Sequence, residues 1–295
     1  MELTLPPLSR ALPLDLETLL MNQPRHWTGL FGLSKNPFKD NINTDLFFRT
    51  RQHEDAVLKI RIGLEDKQAI ILLTGASGTG KTMVSQVALR ALDRDLYKPV
   101  LVLAYPGMSR AGLLAAILSE LEIPAARFAH DRLQQIQEAA LGLYNAGGRL
   151  VIIIDEAHFL QADALHLLRT LSNLETELEK LVTVLLCAEQ SLIRRLRAPS
   201  YAALRGRINF AIQLDPLSAE ALEQYVKYRL LKCGGPPELL TPAIYKLLYE
   251  KSGGIPRALN RLLYGSFIEA MAAEQPVVTE LMVEAAAKKL AVIDG

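Results

Sequence analysis

Five short apolar runs punctuate the middle of the chain: AIILLTG (69–75), PVLVLAY (99–105), RLVIIID (149–155), LVTVLLCA (181–188) and INFAIQL (208–214). Each is rich in β-branched residues and almost free of polar interruptions, the pattern of strands buried on both faces of a parallel sheet. Between them, apolar residues recur at helical spacing over 81–93, 109–121, 131–145 and 161–179. Strands alternating with helices predict an α/β domain built on a five-stranded parallel sheet covered on both sides.

After Asp215 the strand pattern stops. SAEALEQYVKYRLLKC (218–233) opens on a Ser in capping position, and TPAIYKLLYEKSGG (241–254) has a Thr cap, a Pro at the first helical position and Gly at the end. PRALNRLLYGSFIEAMAAE and TELMVEAAAKKL follow, so residues 216–295 are expected to form a small all-helical second domain. Before the sheet, residues 31–68 mix aromatics and turn residues with one helical stretch and are assigned to the α/β domain, 31–215. Residues 1–30 carry Pro6, Pro7, Pro13 and Pro24, which break any long helix. They read as an extended arm with a short amphipathic piece, DLETLL, suited to docking a partner.

Composition narrows the class without choosing a partner. Of 295 residues, half are apolar and 22% charged, with a formal net charge of +1. That balance demands neither a nucleic acid nor a membrane surface, although a local basic patch can hide in it. Cys187 and Cys233 lie far apart and read as free buried thiols, and the five histidines lack metal-ligand spacing. No apolar run is long enough for a membrane span, and Glu2 stands where a signal peptide needs basic charge, so a cytoplasmic location is expected.

The chemistry starts at the end of the first strand. Gly75-Ala76-Ser77-Gly78-Thr79-Gly80-Lys81-Thr82 fits GxxxxGK[ST], between a buried strand and a helix. Such a loop turns successive backbone N–H groups onto phosphate oxygens, helped by the positive end of the following helix. Lys81 would reach the outer phosphates and Thr82 would ligate Mg²⁺. The expected nucleotide-binding set is this octet with Met83.

RLVIIIDEAHFL ends its strand in Asp155-Glu156, beside the cradle. Asp155 is placed to hold Mg²⁺ with Thr82, and Glu156 to polarise the attacking water. The letters DEAH also fit a helicase motif, but the five-strand core leaves no room for a second motor domain. At the end of the fourth strand, Glu189 or Gln190 would lie between γ-phosphate and water. Arg207, or next Arg205, precedes the last strand and could serve a neighbouring subunit's nucleotide. Arg257 opens a helix of the second domain, from which it could reach back to the nucleotide.

Together these stretches resemble the AAA+ ATPases: Gly75–Thr82 resembles Walker A, VIIIDE Walker B, LRGRI the arginine-finger region and GGIPR sensor 2. More narrowly, FGLSKNPFKDN, LFFRTRQHEDAVLKI, DEAHFL, LDPLSAEALEQYVKYRL and GGIPRALNRL are similar to the ExeA-type family. That family takes in secretion-pathway ATPases, pilus-associated ATPases and TnsC-type transposition regulators, and the resemblance spans residues 28–275. It implies a P-loop NTPase with a helical lid that hydrolyses ATP slowly, with ATP bound between subunits of a homo-oligomeric ring or helical filament. It also implies that Phe38, in NPF, lies near the adenine. Two departures stand out. ExeA-type secretion proteins usually continue into a membrane span and a peptidoglycan-binding domain, whereas this sequence stops at Gly295. Their fourth strand commonly ends GQPEL, where this one reads CAEQSL, with Glu189 in place of the Gln.

Two partner readings follow. One is a TnsC-like regulator that assembles with ATP on duplex DNA and links a target selector to a transposase, with Arg110 and the LIRRLR cluster (Arg194, Arg195, Arg197) as DNA-facing candidates. The other is a secretion or pilus assembly ATPase acting on a membrane or cell-wall partner. A third reading, a scaffold that uses ATP only to assemble, is opposed by Glu156 and left open by Glu189.

Overall fold

The computed structural model describes residues 27–39 and 41–294. The DLETLL docking segment expected in the N-terminal arm lies outside them. In chain order, the structure comprises helix α1 (Trp27–Leu30), α2 (Arg51–Glu65), β1 (Ile70–Gly75), α3 (Lys81–Arg90), β2 (Tyr97–Leu103), α4 (Arg110–Glu120), α5 (Ala129–Asn145), β3 (Arg149–Asp155) and α6 (Ala162–Leu171). It continues with β4 (Val182–Ala188), α7 (Gln190–Leu196), α8 (Ala202–Arg205), β5 (Ile208–Leu214), α9 (Ala219–Lys232), α10 (Pro242–Ser252), α11 (Pro256–Ala272) and α12 (Glu280–Asp294).

The sheet has five parallel strands in the order β2-β3-β4-β1-β5. β3, β4 and β1 are buried along their whole length, as their unbroken apolar sequences require. One face packs Ile70, Leu72, Ile152, Ile154, Val184 and Leu186 against α4–α7. The other packs Ile71, Leu73, Val151, Ile153, Leu185 and Cys187 against Ile60 and Leu64 of α2 and Val84 and Ala88 of α3. The edge strands differ from the expectation of full cover. In β2, Leu101 and Leu103 are exposed on the face that α2 and α3 cover over the central strands, and β5 is also only partly buried.

Helix starts follow the capping residues. Thr50, Ser109 and Ser218 each accept a bond from the backbone N–H three residues on. The helix expected over 161–179 stops at Leu171. Beyond it, the Thr176 hydroxyl accepts from the N–H groups of Leu178 and Glu179, and Glu175 bridges Lys180. Local side-chain bonds there outcompete helix propagation.

Helices α9–α12 form a second core around Phe267, Leu230 and Leu248. Trp27 packs into this core, and so do Phe31, Leu33, Phe38 and Leu46, which the sequence placed with the α/β unit, whereas Phe47 packs on the sheet side with α2 and α3. Those that join the helical unit find their partners on α9 and α11: Phe31 meets Phe267 edge to face at 4.7 Å. Both cysteines are free and buried, as expected. Among the described residues, no helix is long and apolar enough to cross a membrane.

Candidate functional site: the cleft between sheet and lid

β4 lies between β1 and β3, so the loops after β1 and β3 leave the sheet on either side of it, and a crevice opens at the carboxyl ends of the strands. The cradle fills this crevice. Gly80 caps α3 with φ 102° and no side-chain bond, leaving the first N–H groups of the helix free to face the loop. The Thr79 hydroxyl donates to the Ala76 carbonyl at 2.9 Å. Lys81 is buried, and its Nζ donates to the carbonyls of Gly75 (3.1 Å) and Ala76 (3.0 Å).

The acidic pair stands directly across. The Thr82 hydroxyl donates to Asp155 Oδ2 at 2.6 Å. A hydroxyl and a buried carboxylate so placed fit a Mg²⁺ ion that keeps water ligands and takes its remaining contacts from phosphates. Asp155 Oδ1 accepts the Glu156 N–H at 2.9 Å. Glu156 itself adopts φ 53°, a left-handed conformation that costs a non-glycine residue about 1 kcal/mol or more. That turn carries the Glu156 side chain into the lining of the cleft.

Beside it, His158 sits between two carboxylates. Its Nδ1 is 3.4 Å from Glu156 Oε2, and its Nε2 is 4.0 Å from Glu189 Oε2. Glu189 is half-buried while Gln190 is exposed, so of the two it is Glu189 that turns toward the site. Sequence reasoning passed over His158, although its place two residues after the expected base was a usable signal. It also missed His53, which is buried beneath the cradle. The Thr50 hydroxyl bonds its Nδ1, and its Nε2 donates to the Thr79 carbonyl at 3.4 Å. Burial holds the His53 pKa below its ordinary value, which favours the neutral ring.

The helical unit closes the cleft from above. The Arg257 N–H donates to the Gly78 carbonyl at 3.3 Å, and its Nη1 reaches Ser77 Oγ at 3.4 Å. A Cβ added at Gly78 would lie 2.7 Å from Arg257 Cβ. The cleft between them holds a cavity of about 310 Å³, lined by Gly78–Met83 and Glu156 from the core and by Arg257 from the lid. Phe38 does not line it. Contrary to the expectation of an adenine contact, Phe38 is buried in the lid core, stacked on Phe267 at 5.7 Å. Its place on the cavity wall is taken by Ile42, Phe47 and Phe48.

The remaining arginines separate by what they hold. Arg205 Nη1 donates to the carbonyls of Leu196 (2.6 Å) and Ala198 (3.2 Å), so it caps the end of α7. Arg195 is committed to the carbonyls of His158 and Leu160, both at 2.8 Å. Arg110, Arg194 and Arg197 are exposed. Arg207 precedes Ile208, at the amino end of β5, whereas Leu214, at the carboxyl end, pairs with Gly75. Seven residues of strand put Arg207 about 20 Å from the cradle of its own chain.

A sequence model described as an AAA domain matches residues 64–196. General secretion pathway protein A of Aeromonas hydrophila is 35% identical over 248 residues, 83% of this chain and 45% of that protein. The chain thus spans less than half the length of this curated relative. Similar solved structures include the ORC1 protein of Aeropyrum pernix in complex with DNA, with a TM-score of 0.68 and 20% identity over 90% of this chain and 69% of that one. Another is Cdc6p from Pyrobaculum aerophilum, with a TM-score of 0.67 and 17% identity over 86% and 70%. A third is Aeropyrum pernix ORC2 in its ADPNP–ADP complexes, with a TM-score of 0.65 and 19% identity over 88% and 72%. At these identities the structural likeness speaks for the fold.

Proposed function

We propose that this chain, which resembles an AAA domain over residues 64–196 and General secretion pathway protein A over 248 residues, is an AAA+ ATPase of the ExeA type that works as an ATP-dependent assembly switch whose complete site is shared by two subunits. The observation that carries this reading is the 2.6 Å bond between Thr82 and Asp155, in a cleft that Glu156 lines from the core and Arg257 from the lid. In this reading ATP lies along Gly75–Met83 with Mg²⁺ on Thr82 and Asp155. Lys81 and the amino end of α3 offset the phosphate charge. Glu156 takes a proton from the attacking water, oriented by Glu189 through His158. Arg207, about 20 Å from its own cradle, stabilises the charge on a neighbour's γ-phosphoryl group. Slow hydrolysis outside the assembly is the expected consequence.

For the partner, the first reading is a TnsC-like regulator on duplex DNA that links a target selector to a transposase. The exposed side chains of Arg110, Arg194 and Arg197 support it, while Arg195 is already spent on backbone carbonyls. The second reading is a secretion or pilus assembly ATPase, favoured by the 35% identity to General secretion pathway protein A. Binding of the ATP-loaded protein to duplex DNA over a range of salt separates them. The DNA reading expects ATP-dependent binding whose log–log salt slope grows by about 0.9 for each phosphate neutralised. It also expects Lys81→Ala to abolish that binding. An ATP-loaded protein with no salt-sensitive DNA binding sinks the transposition reading and leaves the secretion one standing.

A further inference from the structure

Arg229 of α9 is a buried cation that lines the cleft, with only 5% of its surface exposed. Its Nη1 donates to the Pro37 carbonyl at 2.7 Å, and its guanidinium lies 5.0 Å from the centre of the Tyr225 ring. Its Nε has no hydrogen-bond partner, and no carboxylate among the described residues pairs with it. Burying a charge with part of its donor capacity unused is costly. An apolar side chain would fill the same place at less cost, so the retained cation points to a ligand.

The phosphates are not that ligand. They already have Lys81, the amino end of α3 and Arg257, and none of the contacts of Arg229 is with the cradle. Helix α9 starts close to the cradle: the Leu217 N–H bonds Gly254 at 2.8 Å, and Ile255 would meet a Cβ on Gly78 at 3.1 Å. Arg229 lies ten residues into that helix, about 15 Å further along. The wall next to it is aromatic: Tyr225 lies under the guanidinium, and Phe48 packs edge to face on Tyr225 at 5.9 Å. Such a wall suits a flat heterocycle rather than a phosphate. Asn260 joins there. Its Oδ1 accepts the Tyr225 hydroxyl at 2.9 Å, which turns its amide Nδ2 into the available donor.

We infer that Arg229 is the residue that recognises the nucleobase. Its guanidinium donates to ring-nitrogen or carbonyl acceptors on the edge of a purine held against Tyr225, and the Asn260 amide supplies a second donor. This rests on the nucleotide reading of the cleft and adds the group that selects the base.

The test compares Mg-ATP with inorganic tripolyphosphate, which has the phosphates and no base, by calorimetric titration of the full chain. Arg229→Met is expected to weaken ATP binding about tenfold or more, the loss of hydrogen bonds from a charged donor. Tripolyphosphate affinity is expected to stay where it was. If both ligands weaken together, Arg229 acts on the lid or the phosphates and the inference is overturned; unchanged ATP affinity overturns it as well. Should Arg229→Met fail to fold, Arg229→Lys decides. Lysine keeps the charge and can reach the Pro37 carbonyl but lacks the planar fork. It should lose ATP affinity selectively, and wild-type affinity for ATP would count against base recognition. A wild-type protein that binds neither ligand points instead to failure of the nucleotide reading itself.

Discussion

Glu156 and His53 are single residues whose conformation or protonation is fixed by the bonds around the cradle. Glu156 is kept in a left-handed conformation by bonds on either side: its N–H to Asp155 Oδ1, and its carbonyl accepting the Phe159 N–H at 2.9 Å. Without that turn, the carboxylate would follow the strand direction rather than enter the cleft. His53 supports the cradle from below in its neutral form. Because burial depresses its pKa in the folded protein, the unfolded chain binds the proton more readily. Its contribution to stability is therefore complete above the ordinary value of 6.5 and is lost as pH falls below it, through the depressed folded value. Melting temperatures recorded from neutral to mildly acidic pH should fall more steeply for wild type than for His53→Gln, whose amide can still donate to Thr79. Parallel curves for the two proteins would show that His53 is not the titrating support.

At the scale of elements, the decisive contact is between the Ala76–Gly80 loop and the start of α11. Gly78 has φ 79° and lies against Ile255 and Arg257. Gly78→Val would add both the left-handed penalty, about 1–2 kcal/mol, and a clash with Arg257 Cβ. Either the loop or the lid must move. ATP affinity should fall about tenfold or more if that strain is relieved by displacing the lid, while the melting of the lid core around Phe267 stays near wild type. Wild-type ATP affinity in Gly78→Val would argue against lid contact as part of the site.

Strand positions, the cradle and the acidic pair were legible because each depends on neighbours in sequence. The strands fall within two residues of the apolar runs, and Asp155-Glu156 ends its strand as expected. What was not legible depends on distant packing. Phe31, Leu33 and Leu46, before α2, looked like part of the nucleotide domain, but only the exposed apolar faces of α9 and α11 decide that they belong to the lid. Phe38 followed them into that core. Arg205 and Arg207 carry the same charge two residues apart, and only distant packing distinguishes them: Arg205 caps the carbonyls at the end of α7, whereas Arg207 acts electrostatically on Glu175.

The whole molecule is polar in a functional sense. Lys81, Thr82 and Asp155 mark the carboxyl ends of the strands, and Arg207 stands at the amino end of β5. A chain with its cleft at one end and the proposed completing arginine near the other cannot fill its own site. If Arg207 completes a neighbour's site as proposed, copies pack head to tail, an arrangement that closes into a ring or grows into a filament. Mixing two inactive variants tests this. Glu156→Gln lacks the base and Arg207→Ala the arginine, and each alone should lose about 10³-fold in turnover. In a random co-assembly, a productive junction needs Glu156 from an Arg207→Ala subunit beside Arg207 from a Glu156→Gln subunit. About a quarter of head-to-tail junctions meet that condition. The mixture should therefore recover about a quarter of wild-type turnover per site, whereas a contribution of Arg207 within its own chain predicts no recovery at any ratio. Co-assembly of the two variants, followed by labelling one of them, makes an inactive mixture decisive against a shared site.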